Sequence, residues 1–397
     1  MKKKICLLSY DLRSGGAERV ISQWSTLLND DFCVYMTTFK ENVMYPYSGK
    51  YVCLNVGDNY STPLHKVWNV IKRARALRKF VEKEKIDIVL SFCNECNLAN
   101  TISLHNAIKI CSIRSASDIG VNPFVKYVIK SPKNKIIIQT EALRRQIVEM
   151  YGKDLNNKLA VYGNPFDVES IRKMSKQPIP ATLASILSKY RCLINVGSFK
   201  LAKNHANLLQ SFELIAKEVD DVALVLVGAN MFLQEQIAAM AAKSAYSDRI
   251  FFTGETKNPF ALESKCSMFV FPSLAEGIPN ALAEAMIVGL PVVSSNCPTG
   301  PAELLSNTPF DIKYNKERYC DADYGVLVEP FSGPTSFDYF DINDENERFA
   351  KPIIKALKNQ DYYNSLVRKS ALGGERFNLV QYKLGLVELI NVLTNGK

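Results

Sequence analysis

Short apolar runs alternate along the chain with longer amphipathic ones. Residues 5–9 lead into 17–28, 86–91 into 97–106, and 135–139 into 141–151, with another apolar run at 110–114. A short apolar run bounded by turn formers predicts a strand buried on both faces. Apolar positions recurring every three or four residues predict a helix with one buried face. Strand and helix in alternation predict parallel sheets covered by helices. The pattern breaks at Pro178-Ile179-Pro180 and then restarts, with strands over 192–197, 223–228, 250–253, 268–272 and 291–294 and helices over about 204–219, 232–243 and 280–288. The expected class is α/β, with two Rossmann-like doubly wound domains, 1–177 and 178–376, and a C-terminal helix of about 377–397 packing back on the first. Residues 338–348 are polar and acidic and read as a surface loop ahead of a helix over 349–357. Open parallel sheets take ligands beyond the carboxyl ends of their strands, so the two domains are expected to face a central cleft.

Two strand-to-helix junctions carry candidate chemistry. Arg13-Ser14-Gly15-Gly16-Ala17-Glu18 follows the first strand and opens the first helix. Its glycines allow close backbone approach, and the helix N-terminus offers free N–H groups to an anion. The G-x-G-x-x-G spacing of a dinucleotide fold is absent, so by itself this is a weak signal and a tight structural turn is the better account. The second junction is richer. A strand ends near Pro272, a loop carries Glu276, and a helix opens at Asn280 with the amides of Asn280, Ala281 and Leu282 able to hold a phosphate. Glu284 lies one turn inside that helix, where a carboxylate can accept two hydrogen bonds from a cis-diol such as ribose. Two exposed acids are the plain alternative, which the apolar neighbours Ala285 and Met286 disfavour.

Glu276 and Glu284, with Gly277, Ile278, Pro279 and Asn280 between them, resemble the E-x7-E signature of the retaining nucleotide-sugar glycosyltransferases of family 4, which have the GT-B fold. Asn195-Val196-Gly197-Ser198-Phe199 followed by Lys203-Asn204 resembles the family's glycine loop and phosphate-binding lysine. Gly228, Gly254 and Asn164-Pro165 stand in family order, and Cys297-Pro-Thr-Gly300-Pro-Ala-Glu303 is similar to members that build lipid-linked oligosaccharide, O-antigen and capsule. The resemblance implies a UDP-linked GalNAc, GlcNAc or Gal as donor, transferred with retention to a lipid-linked or growing glycan acceptor. It implies Lys203 at the diphosphate, Glu284 at the ribose, Glu276 at the sugar hydroxyls, and the backbone of Gly254, Glu255 and Thr256 at the base. Gly15 and Gly16 would approach the donor from the other domain. Ser198 stands where the family commonly has an arginine, with Lys200 as a candidate replacement. Where several relatives have a histidine near the acceptor the chain has Arg114, expected with Asn97 to bind acceptor. Rival readings are a GT-B-fold sugar-nucleotide epimerase, a phosphorylase, a non-catalytic sugar-nucleotide-binding scaffold, and a nicotinamide oxidoreductase.

Charge separates the halves. The 397 residues carry 49 Lys plus Arg against 40 Asp plus Glu, a formal +9, and 47% are apolar, which excludes a disordered chain. Residues 1–177 have net charge +12 and residues 178–397 have −3. Much of the excess lies in 65–85, where Val67, Ile71, Ala74, Leu77 and Val81 recur at helical spacing while Lys72, Arg73, Arg75, Arg78 and Lys79 crowd the other faces. A solvated outer face is the plain reading; docking on an anionic membrane is the sharper one. Lys126, Lys130, Lys133 and Lys135 add a second basic stretch. Aromatic platforms and motifs for nucleic acid are missing. No run approaches the ~18 apolar residues of a membrane span, no signal peptide is evident, and the ten cysteines are scattered singly. The expected location is therefore cytoplasmic, peripheral to the inner face of the plasma membrane. Only His65, His105 and His205 are present and lie far apart, so neither a metal nor another cofactor is expected.

Overall fold

The computed structural model describes residues 2–395 apart from 14, 57–62, 115, 117, 230–232 and 334, and leaves out the side chains of 63, 64 and 66. Ser14, the expected helix start at Phe232, and the last two residues of the C-terminal helix lie outside the described residues.

Two sheets carry the fold. The first comprises β1 (Lys4–Ser9), β2 (Cys33–Thr38), β3 (Lys50–Cys53), β4 (Ile88–Phe92), β5 (Ile108–Ile113), β6 (Asn134–Ile138) and β7 (Leu159–Val161), in the order β3-β2-β1-β4-β5-β6-β7. Every pair in it is parallel. The second comprises β8 (Arg191–Val196), β9 (Val222–Val227), β10 (Ile250–Gly254), β11 (Met268–Phe271), β12 (Val292–Ser295), β13 (Tyr319–Asp321) and β14 (Val326–Val328), in the order β10-β9-β8-β11-β12-β14-β13. Only β13 runs antiparallel, in a hairpin with β14. The β9 sequence Val-Ala-Leu-Val-Leu-Val is buried at every position, as a central parallel strand with helices on both faces must be. Both sheets reverse their winding once, between β1 and β4 and between β8 and β11. At such a reversal the adjoining loops diverge and leave a crevice at the carboxyl edge.

The two compact units are 1–165 with 379–397, and 166–378. The boundary thus precedes the expected one after Gln177. Phe166 and Ile171 are buried in the second core, the Phe166 and Phe377 rings are 4.7 Å apart, and Asn258 Nδ2 donates to Met174 O at 2.9 Å. Pro178-Ile179-Pro180 is an irregular link between the helices Val168–Ser175 and Ala181–Lys189, inside the second unit. Proline marks a local break, whereas burial decides the domain. The C-terminal helix Leu379–Asn395 is grouped with the first unit. Leu386 and Ile390 are fully buried there, and Trp24 Nε1 donates at 2.8 Å to Tyr382 Oη, which donates to Gly163 O at 2.8 Å.

The acidic stretch read as a loop also differs: a helix begins at Asp344 and runs Asp344–Lys358. Asn343 and Asn346 form a reciprocal capping box, and three acids occupy its first turn, where they favour the positive end of the helix dipole. Arg348 is buried and pairs with Glu329 and Glu345, each at 3.2 Å.

Candidate functional site

The crevice of the second unit lies between the loops that follow β8 and β11. After β8 the chain passes Gly197, Ser198 and Lys200, makes a single 3-10 turn Leu201–Lys203, and enters the helix His205–Glu218 through Asn204, which adopts φ 55°, ψ 40°. After β11 the loop carries Glu276 and enters the helix Asn280–Val288 at Pro279. Asn195 Nδ2 donates to Val270 O at 2.8 Å, Asn204 Nδ2 to Pro272 O at 3.2 Å, and Leu274 N to Ala202 O at 2.8 Å. The first bond ties β8 to β11, and the other two hold the loops that follow them together.

Lys203 and Glu276 meet at its centre, Nζ to Oε1 at 2.6 Å, with side-chain exposures of 23% and 11%. The Lys203 ammonium also stands 5.3 Å from the centroid of the Phe271 ring. Its carbon chain runs over Gly197, where a Cβ would meet Lys203 Cδ at 3.4 Å. Gly228, after β9, approaches from the other side: a Cβ there would lie 2.0 Å from Gly197 O, so the position admits no side chain without a backbone shift. Gly228 N donates to Gly254 O at 3.1 Å, and Gly254 has φ +72°. Thr256 Oγ1 accepts from Asn258 N at 3.3 Å, while Glu255 is exposed.

A third loop, after β12, fixes the glutamate. Thr299 Oγ1 donates to Glu276 O, and Gly300 at φ +96° comes so close to Gly277 and Pro279 that a Cβ would lie 2.3 Å from Gly277 O. Burial, with Glu276 nearby, pushes the Cys297 thiol up to about 12. Beneath the lysine, His205 stacks on Phe199 at 4.5 Å, and burial, with the Lys203 charge, pulls its imidazole down to about 3, so it is neutral at pH 7. The supporting roles of Thr299, Phe271 and His205 were not read from the sequence: those of Thr299 and Phe271 depend on contacts distant along the chain, and that of His205 on its burial.

The helix Asn280–Val288 starts without a side-chain cap, because Pro279 carries no acceptor there. The amides of Asn280, Ala281 and Leu282 precede the first possible intrahelical bond, and Ala283 N is the first to make one, to Pro279 O at 3.2 Å. Glu284 is buried one turn further in. Lysine, glutamate, an uncapped helix terminus and close-packed glycines together suit a ligand with a phosphate at one end and hydroxyls at the other.

The other expected residues lie in the first unit. Gly15 and Gly16 open the helix Gly16–Leu28 after β1, and a Cβ on Gly15 would fall 2.1 Å from Glu18 Oε2, so that carboxylate lies over the turn. Arg114 follows β5 and packs between Trp24 and Phe92, 5.8 and 5.4 Å from their centroids, with Nη2 donating to Asn164 Oδ1. Burial lowers its guanidinium to about 10. Asn97 requires correction as an acceptor contact. It is buried, Nδ2 donates to Ser112 O at 2.8 Å, and Oδ1 accepts from Ser91 Oγ at 2.7 Å, so its amide pins β4 and β5 to the helix Asn94–Ile102.

Arg73 needs the same correction as a membrane contact. It is 1% exposed, pairs with Glu95 at 2.7 Å, and lies 5.0 and 5.7 Å from the centroids of Tyr10 and Phe39. Lys72, Arg75, Arg78 and Lys79 are exposed on the same helix, Pro63–Glu84, Arg78 pairing with Glu82. Val67, expected in the buried stripe, is exposed together with Trp68. Among the described residues no helix is long and apolar enough to cross a membrane.

Residues 191–330, which contain this crevice, match the family described as Glycosyl transferases group 1. The chain is 26% identical over 332 residues to an uncharacterized glycosyltransferase of Methanocaldococcus jannaschii, covering 77% of this chain and 80% of that protein. It is 23% identical over 374 residues to a Campylobacter jejuni enzyme named N-acetylgalactosamine-N,N'-diacetylbacillosaminyl-diphospho-undecaprenol 4-alpha-N-acetylgalactosaminyltransferase, covering 90% of this chain and 93% of that one. Among solved structures, Anabaena HepE in complex with UDP superposes with a TM-score of 0.72 at 14% identity, over 98% of this chain and all of that one. The likeness to HepE is one of fold.

Proposed function

We propose, from the premise that residues 191–330 are a Glycosyl transferases group 1 domain, that this chain transfers a hexose or N-acetylhexosamine from a UDP-sugar to a lipid-linked or growing glycan acceptor. The observation that carries the reading is the Lys203–Glu276 pair at the sheet's reversal point, beside the uncapped start of the helix Asn280–Val288. A sugar nucleotide presents its diphosphate and its hydroxyls side by side, and this crevice offers a cation and a carboxylate side by side. The lipid carrier draws on the C. jejuni relative, whose name specifies a diphospho-undecaprenol acceptor.

When the bond from the anomeric carbon to the diphosphate breaks, negative charge collects on the leaving phosphate oxygen. Donors already aimed at that oxygen stabilise the transition state more than the ground state. Lys203 Nζ and the amides of Asn280, Ala281 and Leu282 fill that role, with Lys200 on the same turn as a further cation. Glu276 accepts hydrogen bonds from the sugar hydroxyls and orients the ring, and Glu284 holds the ribose. The acceptor hydroxyl enters on the face the diphosphate leaves, giving retention, and its proton passes to the departing phosphate. Positive charge from the protein suffices, so transfer proceeds without added divalent cation. The exposed basic residues of the helix Pro63–Glu84 hold the chain at an anionic membrane, where such an acceptor resides.

Purified protein with UDP-sugars and a polyprenyl-diphosphate-linked sugar tests the reading. Formation of an extended lipid-linked product that is lost in Lys203→Ala, with its melting temperature kept, is expected. Unchanged turnover in Lys203→Ala refutes the assignment, and activity that vanishes in chelator and returns with manganese refutes the metal-free step.

A further inference from the structure

Four hydrogen bonds run head to tail through the interior of the second unit, carried by three side-chain amides. Asn343 N donates to Asn346 Oδ1 at 3.0 Å, Asn346 Nδ2 to Asn207 Oδ1 at 2.8 Å, Asn207 Nδ2 to Asn204 Oδ1 at 2.8 Å, and Asn204 Nδ2 to Pro272 O at 3.2 Å. Asn346, Asn207 and Asn204 are 0%, 5% and 1% exposed. Each amide accepts at its oxygen and donates at its nitrogen, so every bond points the same way and polarises the next. The chain of bonds starts at the capping box of the helix Asp344–Lys358 and ends at the carbonyl where the loop after β11 begins.

Helix capping does not account for this course. Asn204 is the N-cap residue of His205–Glu218, where an asparagine ordinarily accepts from the amide of the second or third helical residue. It makes no such bond. Its oxygen takes the Asn207 side chain instead, and it stands at φ 55°, a left-handed conformation that costs even an asparagine some strain. What the last two bonds share is their place: Asn204 directly follows Lys203, and Pro272 opens the loop that carries Glu276. A lysine has a flexible four-carbon stem, so its ammonium is located only as firmly as its backbone. The bond from Leu274 N to Ala202 O, at 2.8 Å, braces the same turn from outside, so removing the amides should loosen the turn without releasing it.

We propose that Asn207 is a positioning residue for the donor site: the amide chain fixes the backbone on each side of the Lys203–Glu276 pair and so sets Lys203 Nζ where a diphosphate must meet it. This deepens, and rests on, the reading of Lys203 as the diphosphate ligand. It also makes Asn346, at the start of the helix Asp344–Lys358, a part of what holds the crevice in shape.

Asn207→Leu keeps the branched shape and removes both bonds. Titration of UDP into the full chain should show affinity about fivefold weaker. None of that loss should remain when Lys203 is already alanine, because the amide acts through the lysine. With a UDP-sugar, kcat should fall about 100-fold while KM changes no more than the UDP affinity does. Ser370→Ala removes an equally buried bond of the same unit, Oγ to Leu290 O at 2.6 Å, and should lower the melting temperature with UDP affinity unchanged. Asn207→Asp gives a reversible form and serves where the leucine does not fold. Ionised, the introduced carboxyl accepts from Asn346 and repels Asn204 Oδ1; protonated, it donates to Asn204 as the amide does. Its UDP affinity relative to wild type should recover as pH falls from about 8 to about 5.5, since burial raises a carboxyl. Lys203, His205 and Glu213 on its own segment, and Asp344, Glu345 and Arg348 on the helix packed against it, are the same in both chains, so the ratio cancels their titration. Hydrogen exchange reads the turn without a ligand. The amides of Lys203, Asn204 and Leu274, bonded at 3.0, 3.0 and 2.8 Å, should exchange about tenfold faster in Asn207→Leu. Unchanged protection at all three, an equal loss of UDP affinity with and without Lys203, or a flat pH ratio overturns the proposal. Failure of the wild-type chain to bind UDP counts against the donor reading, and exchange then decides the amide chain by itself.

Discussion

Replacing Glu276 by glutamine should tighten the binding of UDP while it weakens transfer. The Lys203 ammonium is already engaged at 2.6 Å by a carboxylate that is only 11% exposed, and an arriving diphosphate must share or replace that partner. A fully exposed ion pair contributes about 0–1 kcal/mol and a charged hydrogen bond in a buried setting about 1.5–3 kcal/mol. With the lysine side chain still 23% exposed, the top of the exposed range applies, about 1 kcal/mol. Glutamine keeps the volume and removes the charge, so that energy becomes available to the diphosphate and UDP affinity rises about fivefold. Transfer from a UDP-sugar should fall about 100-fold, because a neutral amide replaces the carboxylate that orients the sugar. Isothermal titration of UDP into wild type and Glu276→Gln, with melting temperatures alongside, measures the difference. The gain should shrink at 0.5 M salt, where the Debye length is a few ångströms. An unchanged or weaker UDP affinity in a variant that melts with wild type refutes a competition for Lys203.

Other outcomes follow from single contacts. Gly228→Ala sets a methyl 2.0 Å from Gly197 O and should cost about 2–4 kcal/mol in urea unfolding together with loss of UDP binding. Arg73→Ala strips a buried cation from Glu95 and two rings and should destabilise by about 3 kcal/mol, whereas the exposed Arg75→Ala should stay within about 0.5 kcal/mol, both by urea unfolding. Asn97→Ala loses two buried hydrogen bonds and should cost about 2 kcal/mol while leaving the acceptor KM unchanged. His205, held at about 3 in the fold against 6.5 unfolded, is neutral in the native state over that interval and protonated in the unfolded state. Its contribution is complete above pH 6.5 and is lost as pH falls toward 3, amounting to about 2 kcal/mol at pH 5. A stability profile between pH 7 and pH 5 should accordingly be shallower in His205→Gln.

Periodicity made the central strands legible. β1, β4, β8, β9 and β11 are buried on both faces by their own side chains, so their apolar runs announce them at any register. The loops that open the two reversal points were legible for a related reason, since a glycine turn or an acid before a helix start is local chemistry. The strands β2, β3, β7, β13 and β14 were not read from the sequence. The helix Pro123–Lys130 was hidden among lysines that line its outer side.

The sequence by itself determined which residues alternate, where chain direction breaks, and which side chains at two junctions could bind a phosphate and a sugar. Tertiary structure decided that Arg73 and Asn97 are interior, that Trp68 and Phe124 are not, and that Lys203 is bound to Glu276. Periodicity reports only that a segment has an apolar side. Whether a long side chain on its margin turns inward depends on what stands opposite: Glu95, Tyr10 and Phe39 for Arg73, two strands for Asn97, solvent for Phe124. Such partners are remote along the chain, and only folding brings them within reach.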